Sequence, residues 1–401
     1  LILRMPIYVV LIAVGLVALL LLLHSGPRTG DKPMLLSSKG SQTALVAQPP
    51  DFALALPPRS SLASIAASTD GRYVVLARNF WSDKQQANLT ELSLFDLESG
   101  EALWSKLYVN PNCCSTPIVK TTPDGQLILG AGKQLHLYTR DGQELKAFGF
   151  QEDNEFAFSA EISQDGKYIT TASSRRAYLF SQDGQLLWTS DSKDVPSVAL
   201  SADGQYLLVA TSHAFQLYRT TDQQLIRQEE LTYQGPVVTA ALSKNGSSFA
   251  IAGSPEWGQA DLSVNVFPQQ SSEARLITLG KVNAPKLTID ERGQLVLVEG
   301  NLGSEAALIP IGDGHLRRFS PQPDSVHMAV DAVSDRLAIS RGRVVEVRRL
   351  SDDQLLWQTS VQGTILALLL SGDRIIALGN EQGNSILPNR VWAWKVNNKG
   401  G

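Results

Sequence analysis

The chain is poor in the residues that metal and nucleophile chemistry uses most. Of 401 residues, two are cysteine, three methionine and five histidine. The two cysteines, Cys113 and Cys114, are adjacent, and no histidine or second cysteine pair stands at ligand spacing beside them, so a metal centre has little to build on. No Gly-x-Ser-x-Gly elbow, His-Glu-x-x-His helix or Walker loop occurs, which removes the commonest hydrolase, zinc-protease and nucleotide-binding signatures. Charge of one sign is also lacking. The 35 Lys and Arg against 39 Asp and Glu leave a net −4 with no basic stripe, so nucleic acid is not an expected partner.

Long apolar runs are absent with one exception. Residues 5–23 carry no charge, and nineteen residues at about 1.5 Å each cross a bilayer core as one helix. His24-Ser25-Gly26-Pro27 offers no small-x-small cleavage site, so residues 1–24 read as a retained signal anchor. Within it, Gly15 and Ala18 leave room for close helix packing. Arg28, Lys32 and Lys39 follow the run and only Arg4 precedes it. That count leans to a cytoplasmic domain, whereas a minimal N-terminal tail before a long apolar run is the usual form of an exporting anchor. The expectation is a single-pass protein of the bacterial inner membrane with its bulk on the periplasmic side. Residues 25–50, rich in Gly, Ser, Pro, Lys and Gln, read as a flexible linker.

From about residue 60 onwards one pattern repeats, best seen in 199–228. A short apolar run is followed by the turn Asp203-Gly204, two further alternating strands, a polar turn and a last strand. The first turn recurs at Asp70-Gly71, Asp124-Gly125, Asp165-Gly166, Asn245-Gly246, Arg292-Gly293, Asp335-Arg336 and Gly372-Asp373, mostly about forty residues apart. Glycine accepts the positive φ that tight hairpins need, and Asp or Asn tolerates it. A second turn precedes many last strands, as at Asp141-Gly142 and Asp183-Gly184. Units of this length with four short strands are propeller blades. The fold class is therefore all-β, an eight-bladed β-propeller over residues 51–396, with seven blades as the alternative count and 397–401 as a tail. The eighth unit has only three strands, at 364–370, 374–378 and 390–396, while the apolar segment 52–56 has no unit of its own. An open ring would leave blade edges unpaired, so 52–56 is expected to close the last blade.

Ser68-Thr69-Asp70-Gly71-Arg72-Tyr73, Ser163-Gln164-Asp165-Gly166-Lys167-Tyr168 and Ser201-Ala202-Asp203-Gly204-Gln205-Tyr206 resemble the repeat of bacterial WD40-like propellers. The endings Glu101-Ala102-Leu103-Trp104, Asp183-Gly184-Gln185-Leu186-Leu187-Trp188 and Asp353-Gln354-Leu355-Leu356-Trp357 are similar to the pyrroloquinoline-quinone-type repeat. The resemblance implies that each Trp packs between neighbouring blades. It also implies two functional classes. One is a membrane-tethered scaffold, like the propeller of the outer-membrane barrel assembly machinery. The other is a quinone-dependent dehydrogenase, some of which carry an adjacent Cys pair; these need a calcium site of carboxylates and an amide, which cannot be assembled from matched motifs here. No cofactor is therefore expected.

Function is sought where blades depart from the pattern. The longest insertions, 79–90, 254–261 and 380–389, join second to third strands, and 108–116 joins two blades, so all should emerge on one face. Loops elaborated on one face of a rigid scaffold are where binding concentrates. The candidate partner-binding residues are Phe80, Trp81, Trp257, Asn380 and Asn389. Blades 1 and 8 are neighbours across the closure, so 79–90 and 380–389 should share a region. Cys113 and Cys114 are either a vicinal disulfide or half-buried thiols. Asn88-Leu89-Thr90 matches a short glycosylation sequon. Taken together, the sequence points to a non-catalytic, membrane-anchored scaffold or accessory subunit for an integral membrane protein complex. A periplasmic dehydrogenase and a small-ligand sensor are the alternatives.

Overall fold

In the computed structural model the described residues lie within 47–396, excluding 57–59, 111–115, 153–154, 192–193, 195, 232, 234–237, 255–260, 269–272, 283–284, 301–303, 320–325 and 382–386. The expected anchor at 1–24, the linker up to residue 46 and the tail fall outside them. Among the described residues no helix is long and apolar enough to cross a membrane.

The chain forms eight four-stranded antiparallel sheets, which settles the blade count at eight. After β1 (Phe52–Ala55), blade 1 is β2 (Ser60–Ala67), β3 (Tyr73–Ser82), β4 (Ala87–Asp96) and β5 (Glu101–Val109). Blade 2 is β6 (Ile118–Thr121), β7 (Leu127–Ala131), β8 (Gln134–Thr139) and β9 (Glu144–Gly149). Blade 3 is β10 (Ser159–Ile162), β11 (Tyr168–Ala172), β12 (Arg176–Ser181) and β13 (Leu186–Asp191). Blade 4 is β14 (Ser197–Leu200), β15 (Tyr206–Ala210), β16 (Ala214–Arg219) and β17 (Leu225–Glu230). Blade 5 is β18 (Val238–Leu242), β19 (Phe249–Gly253), β20 (Asp261–Phe267) and β21 (Arg275–Lys281). Blade 6 is β22 (Lys286–Ile289), β23 (Leu295–Glu299), β24 (Ala306–Pro310) and β25 (Arg317–Phe319). Blade 7 is β26 (Val326–Asp331), β27 (Arg336–Arg341), β28 (Val344–Arg349) and β29 (Leu355–Ser360). Blade 8 is β30 (Thr364–Ser371), β31 (Arg374–Asn380) and β32 (Arg390–Lys395), with β1 added outside β32. First strands of neighbouring blades pack on one another at every junction but that of β22 with β26, so they form the inner ring.

The Ser-x-Asp-Gly-x-Tyr motif is a self-contained hydrogen-bond device. In blade 4 the fully buried Ser201 hydroxyl donates to Asp203 Oδ1 at 2.6 Å and accepts from the Tyr206 amide at 2.9 Å. The Gly204 amide closes the turn onto the Ser201 carbonyl at 2.8 Å, at φ +70°. Ser163 and Asp165 in blade 3 and Ser68 and Asp70 in blade 1 repeat the arrangement. Blade 2 uses Thr122 with Asp124, and blade 5 uses Ser243 with Asn245. In blade 6 Asp290 takes the serine's place and accepts the Leu295 amide at 2.6 Å. The motif tyrosine works on the next blade, since a Cβ on Gly246 would lie 2.2 Å from Tyr206 and one on Gly204 3.0 Å from Tyr168.

The core between blades is apolar, with second and third strands supplying most of the fully buried side chains, such as Leu92, Leu94, Ile128, Leu179 and Phe215. Outer strands are tied on by the Leu-Trp endings. The Trp104 indole N–H donates to the Arg140 carbonyl at 2.8 Å and its ring lies 5.6 Å from Tyr138 of blade 2. Trp188 meets Tyr218 of blade 4 at 4.6 Å, and Trp357 meets Trp394 of blade 8 at 6.1 Å.

Closure is made at blade 8. Phe52 pairs with Ala393 and Ala55 with Arg390, and the Leu56 amide donates to Asn389 O at 2.8 Å. Phe52 reaches blade 1, 6.1 Å from Phe95. Gln48, inside the expected linker, is already bound to blades 7 and 8: its amide donates to Thr359 Oγ1 at 2.9 Å, and its carbonyl accepts from Trp394 Nε1 at 3.2 Å.

Candidate functional site

Residues 79–90, expected as a loop, are mostly strand. β3 and β4 each run ten residues and pair without interruption from Tyr73–Asp96 to Ser82–Ala87, leaving only 83–86 as the turn. The reason is tertiary. β5 is nine residues long and pairs β4 up to Leu89–Val109, so the polar stretch gains a third strand. Gln86 takes φ +51° to close the hairpin.

The two faces of this hairpin differ. On one, Thr90 Oγ1 donates to Asn79 Oδ1 at 2.6 Å and Asn110 Nδ2 to Thr90 Oγ1 at 3.0 Å, all three residues buried. Tyr108 lies beside them, stacked at 4.6 Å on His136 of blade 2; burial pushes its phenol well above the ordinary value. On the other face Arg78 is ion-paired to Glu91 and lies 4.7 Å over the Phe80 ring, so half-buried Phe80 is held in place by a desolvated cation. Trp81, at the hairpin end, is 47% exposed.

Leu107 and Val109 of β5, each 55% exposed, share the Arg78–Phe80 face by register. The sequence analysis passed over them. Their signal was the alternation Leu103, Ser105, Leu107, Val109 on a strand with no outer neighbour. Leu103 also walls a groove of about 830 Å³ between blades 1 and 2, together with Trp104 and Leu145.

Asn380 and Asn389 are placed differently. Asn380 is buried, and its carboxamide donates to the Leu387 carbonyl, while Asn389 Oδ1 accepts from the Glu381 amide at 2.8 Å. The two clasp the base of their own loop, reinforced by an Arg390–Glu381 ion pair at 2.6 Å. Trp257, Cys113 and Cys114 lie outside the described residues. Among those described, no group of three or more His, Cys, Asp or Glu side chains is placed to hold a metal ion.

These features define the molecule as an eight-bladed β-propeller whose most elaborated blade, among the described residues, is the first. No protein-family model matches the chain, and no curated protein matches its sequence. By shape it is similar to BamB from Moraxella catarrhalis, with a TM-score of 0.58 and 12% identity over 88% of this chain and 99% of that one. It is likewise similar to hydrazine synthase of Kuenenia stuttgartiensis, with a TM-score of 0.52 and 12% identity over 85% and 98%. Both are β-propellers, and at this identity the likeness concerns the fold.

Proposed function

We propose that the chain is a non-catalytic scaffold or accessory subunit, held by its apolar N-terminal segment in the bacterial inner membrane, that docks onto a membrane protein complex through blade 1. The observation that carries the reading is the extended hairpin. It carries an exposed Trp81 on one face, just past the three-stranded part of the sheet, and exposed Leu107 and Val109 on the opposite face. Exposed aromatics on a preorganised frame are the usual anchors of protein interfaces. The scaffold class implied by the repeats supports the same reading. A dehydrogenase or ligand sensor is the alternative from sequence. Purification of the full chain in mild detergent, with mass spectrometry of co-purifying subunits, tests the proposal. An integral membrane partner lost on Trp81→Ala and Leu107→Asp is the expected result; a chain that purifies alone with a bound chromophore would overturn it.

A further inference from the structure

The inner ring is uneven between blades 6 and 7. Neighbouring first strands lie against one another around the ring, but among the described residues β22 and β26 make the loosest of these junctions, and β23 meets β26 instead. A cavity of about 120 Å³ opens there, room for about four waters. Lys286 of β22, Glu299 of β23, His327 of β26 and Leu366 and Leu368 of β30 line it. The pairing of β30 with β31 shifts between Ile365 and Ala367, so Leu366 stands in a bulge at the cavity wall.

Its polar groups are incompletely used. His327 is 8% exposed, and its Nε2 has no hydrogen-bond partner. The Lys286 ammonium stands 3.6 Å from Glu299 Oε2, beyond a good hydrogen bond. Glu299 is anchored from behind, since Oε1 accepts from the Met328 amide at 2.7 Å, and that oxygen lies 4.0 Å from His327 Nδ1. An unsatisfied buried donor or acceptor is costly, so a site of this kind favours an occupant that completes it.

Charge narrows the occupant. Lys286 and Glu299 cancel, and the ammonium would repel a metal cation. Protonation of His327 would leave the cavity with a single net positive charge, which matches a monoanion. Leu366, Ala367 and Leu368 supply the apolar part of the lining, which suits a short alkyl tail. We propose that this cavity binds a short-chain monocarboxylate of the acetate or propionate type, its oxygens received by Lys286 Nζ and the His327 Nε2–H, with uptake of one proton by His327.

The proton linkage has a defined sign. Burial, aided by Lys286, holds the His327 imidazolium below its ordinary value, while Glu299 and the Ile365 backbone oppose that. From β27 the residue paired with His327 is Ser340, and β30 carries no titratable side chain. The ring is therefore neutral in the empty site near pH 7, and a bound carboxylate raises its proton affinity. Carboxylate binding must then strengthen as pH falls, by at most about tenfold per pH unit for one proton.

Sodium acetate titrated into the full chain, with sodium chloride at matched ionic strength as control, tests this through the His327 Cε1–H resonance. The signal should shift saturably with acetate only, and more tightly at pH 6 than at pH 8. Calorimetry in two buffers of different ionisation enthalpy should report proton uptake approaching one. Lys286→Met, at a side chain 66% exposed and hence tolerant of change, should weaken binding about tenfold or more. His327→Gln should abolish the pH dependence. A shift that does not saturate, that chloride reproduces, or that Lys286→Met leaves unchanged would overturn the proposal. Because the cavity is in the inner ring and the docking surface is at blade 1, the two proposals fail separately.

Discussion

Trp357 donates its indole N–H to Gln48 Oε1 at 2.7 Å, joining residues 309 positions apart. Together with the β1–β32 ladder, this bond ties the N-terminal segment of the propeller to blades 7 and 8. Gln48→Ala removes one acceptor of a half-buried indole and is expected to cost about 1 kcal/mol, read as a small fall in denaturation midpoint. Deleting residues 47–56 should do much more. It strips β32 of its outer partner and bares the Gln48 contacts of Trp357 and Trp394, so the truncated ring should lose its single cooperative transition. A truncation that melts like the full chain would show that closure contributes nothing.

The turn glycines allow strain and clash to be separated. Gly100 has φ +75° and nothing within 4 Å of a would-be Cβ, whereas Gly246 has φ +70° and would place that Cβ 2.2 Å from Tyr206. Gly100→Ala should cost about 1–2 kcal/mol, the penalty of left-handed backbone. Gly246→Ala carries the same strain plus overpacking against the Tyr206 ring, about 1–3 kcal/mol more. Urea denaturation of the two variants measures the difference, and equal costs would mean that the tyrosine moves aside freely.

What could be read from sequence follows from the range of the interactions involved. The Ser201, Asp203, Gly204 and Tyr206 device is complete within six consecutive residues, so it shows in the sequence wherever it recurs; blades 7 and 8 lack it, which is why the sequence left seven blades as an alternative to eight. The span 79–90 read as loop because Ser82, Asp83, Lys84, Gln85 and Gln86 are polar and lack alternation. Its strand character comes from pairing with β5, which local propensity does not report. Asn380 read as a surface asparagine, but its partner is the Leu387 carbonyl across the loop. The cavity of Lys286, Glu299 and His327, walled also by Leu366 and Leu368, draws on four strands of three blades and had no local signature.

Acid should weaken the fold through the turn aspartates. Burial pushes the Asp165 carboxyl up, but hydrogen bonds from Lys167 and Ser163 outweigh it, and the group ends below its ordinary value. Asp183 is lowered chiefly by the Ser181 hydroxyl and Asp141 by that of Thr139. A carboxyl depressed in the folded state stabilises above its unfolded value, about 4, and that contribution is lost as pH falls through the lower folded value. The melting temperature should therefore hold between pH 7 and 5 and drop below about pH 4. Asp165→Asn, which keeps an acceptor oxygen but cannot titrate, should be less stable than the parent at pH 7, with the gap narrowing towards pH 3. A gap independent of pH would remove Asp165 from the acid response.

Blade 1 supplies the test that separates docking from packing. Trp81 is 47% exposed at the end of a paired hairpin, and Leu107 is 55% exposed on an outer strand. Neither should contribute much to stability, since substitutions at such sites usually change it by less than about 0.5 kcal/mol. A docking surface, by contrast, concentrates its binding energy in a few exposed aromatic and apolar anchors, each costing about 2 kcal/mol or more when truncated. Trp81→Ala and Leu107→Asp are thus expected to leave the melting temperature within a degree or two while reducing partner retention at least tenfold. Thr90→Val provides the opposite control, because it breaks the buried Asn79–Thr90–Asn110 network and should lower stability first and retention only as a consequence. If Trp81→Ala instead melts as early as Thr90→Val, the indole packs on its own blade, and the docking surface must be sought on another part of the ring.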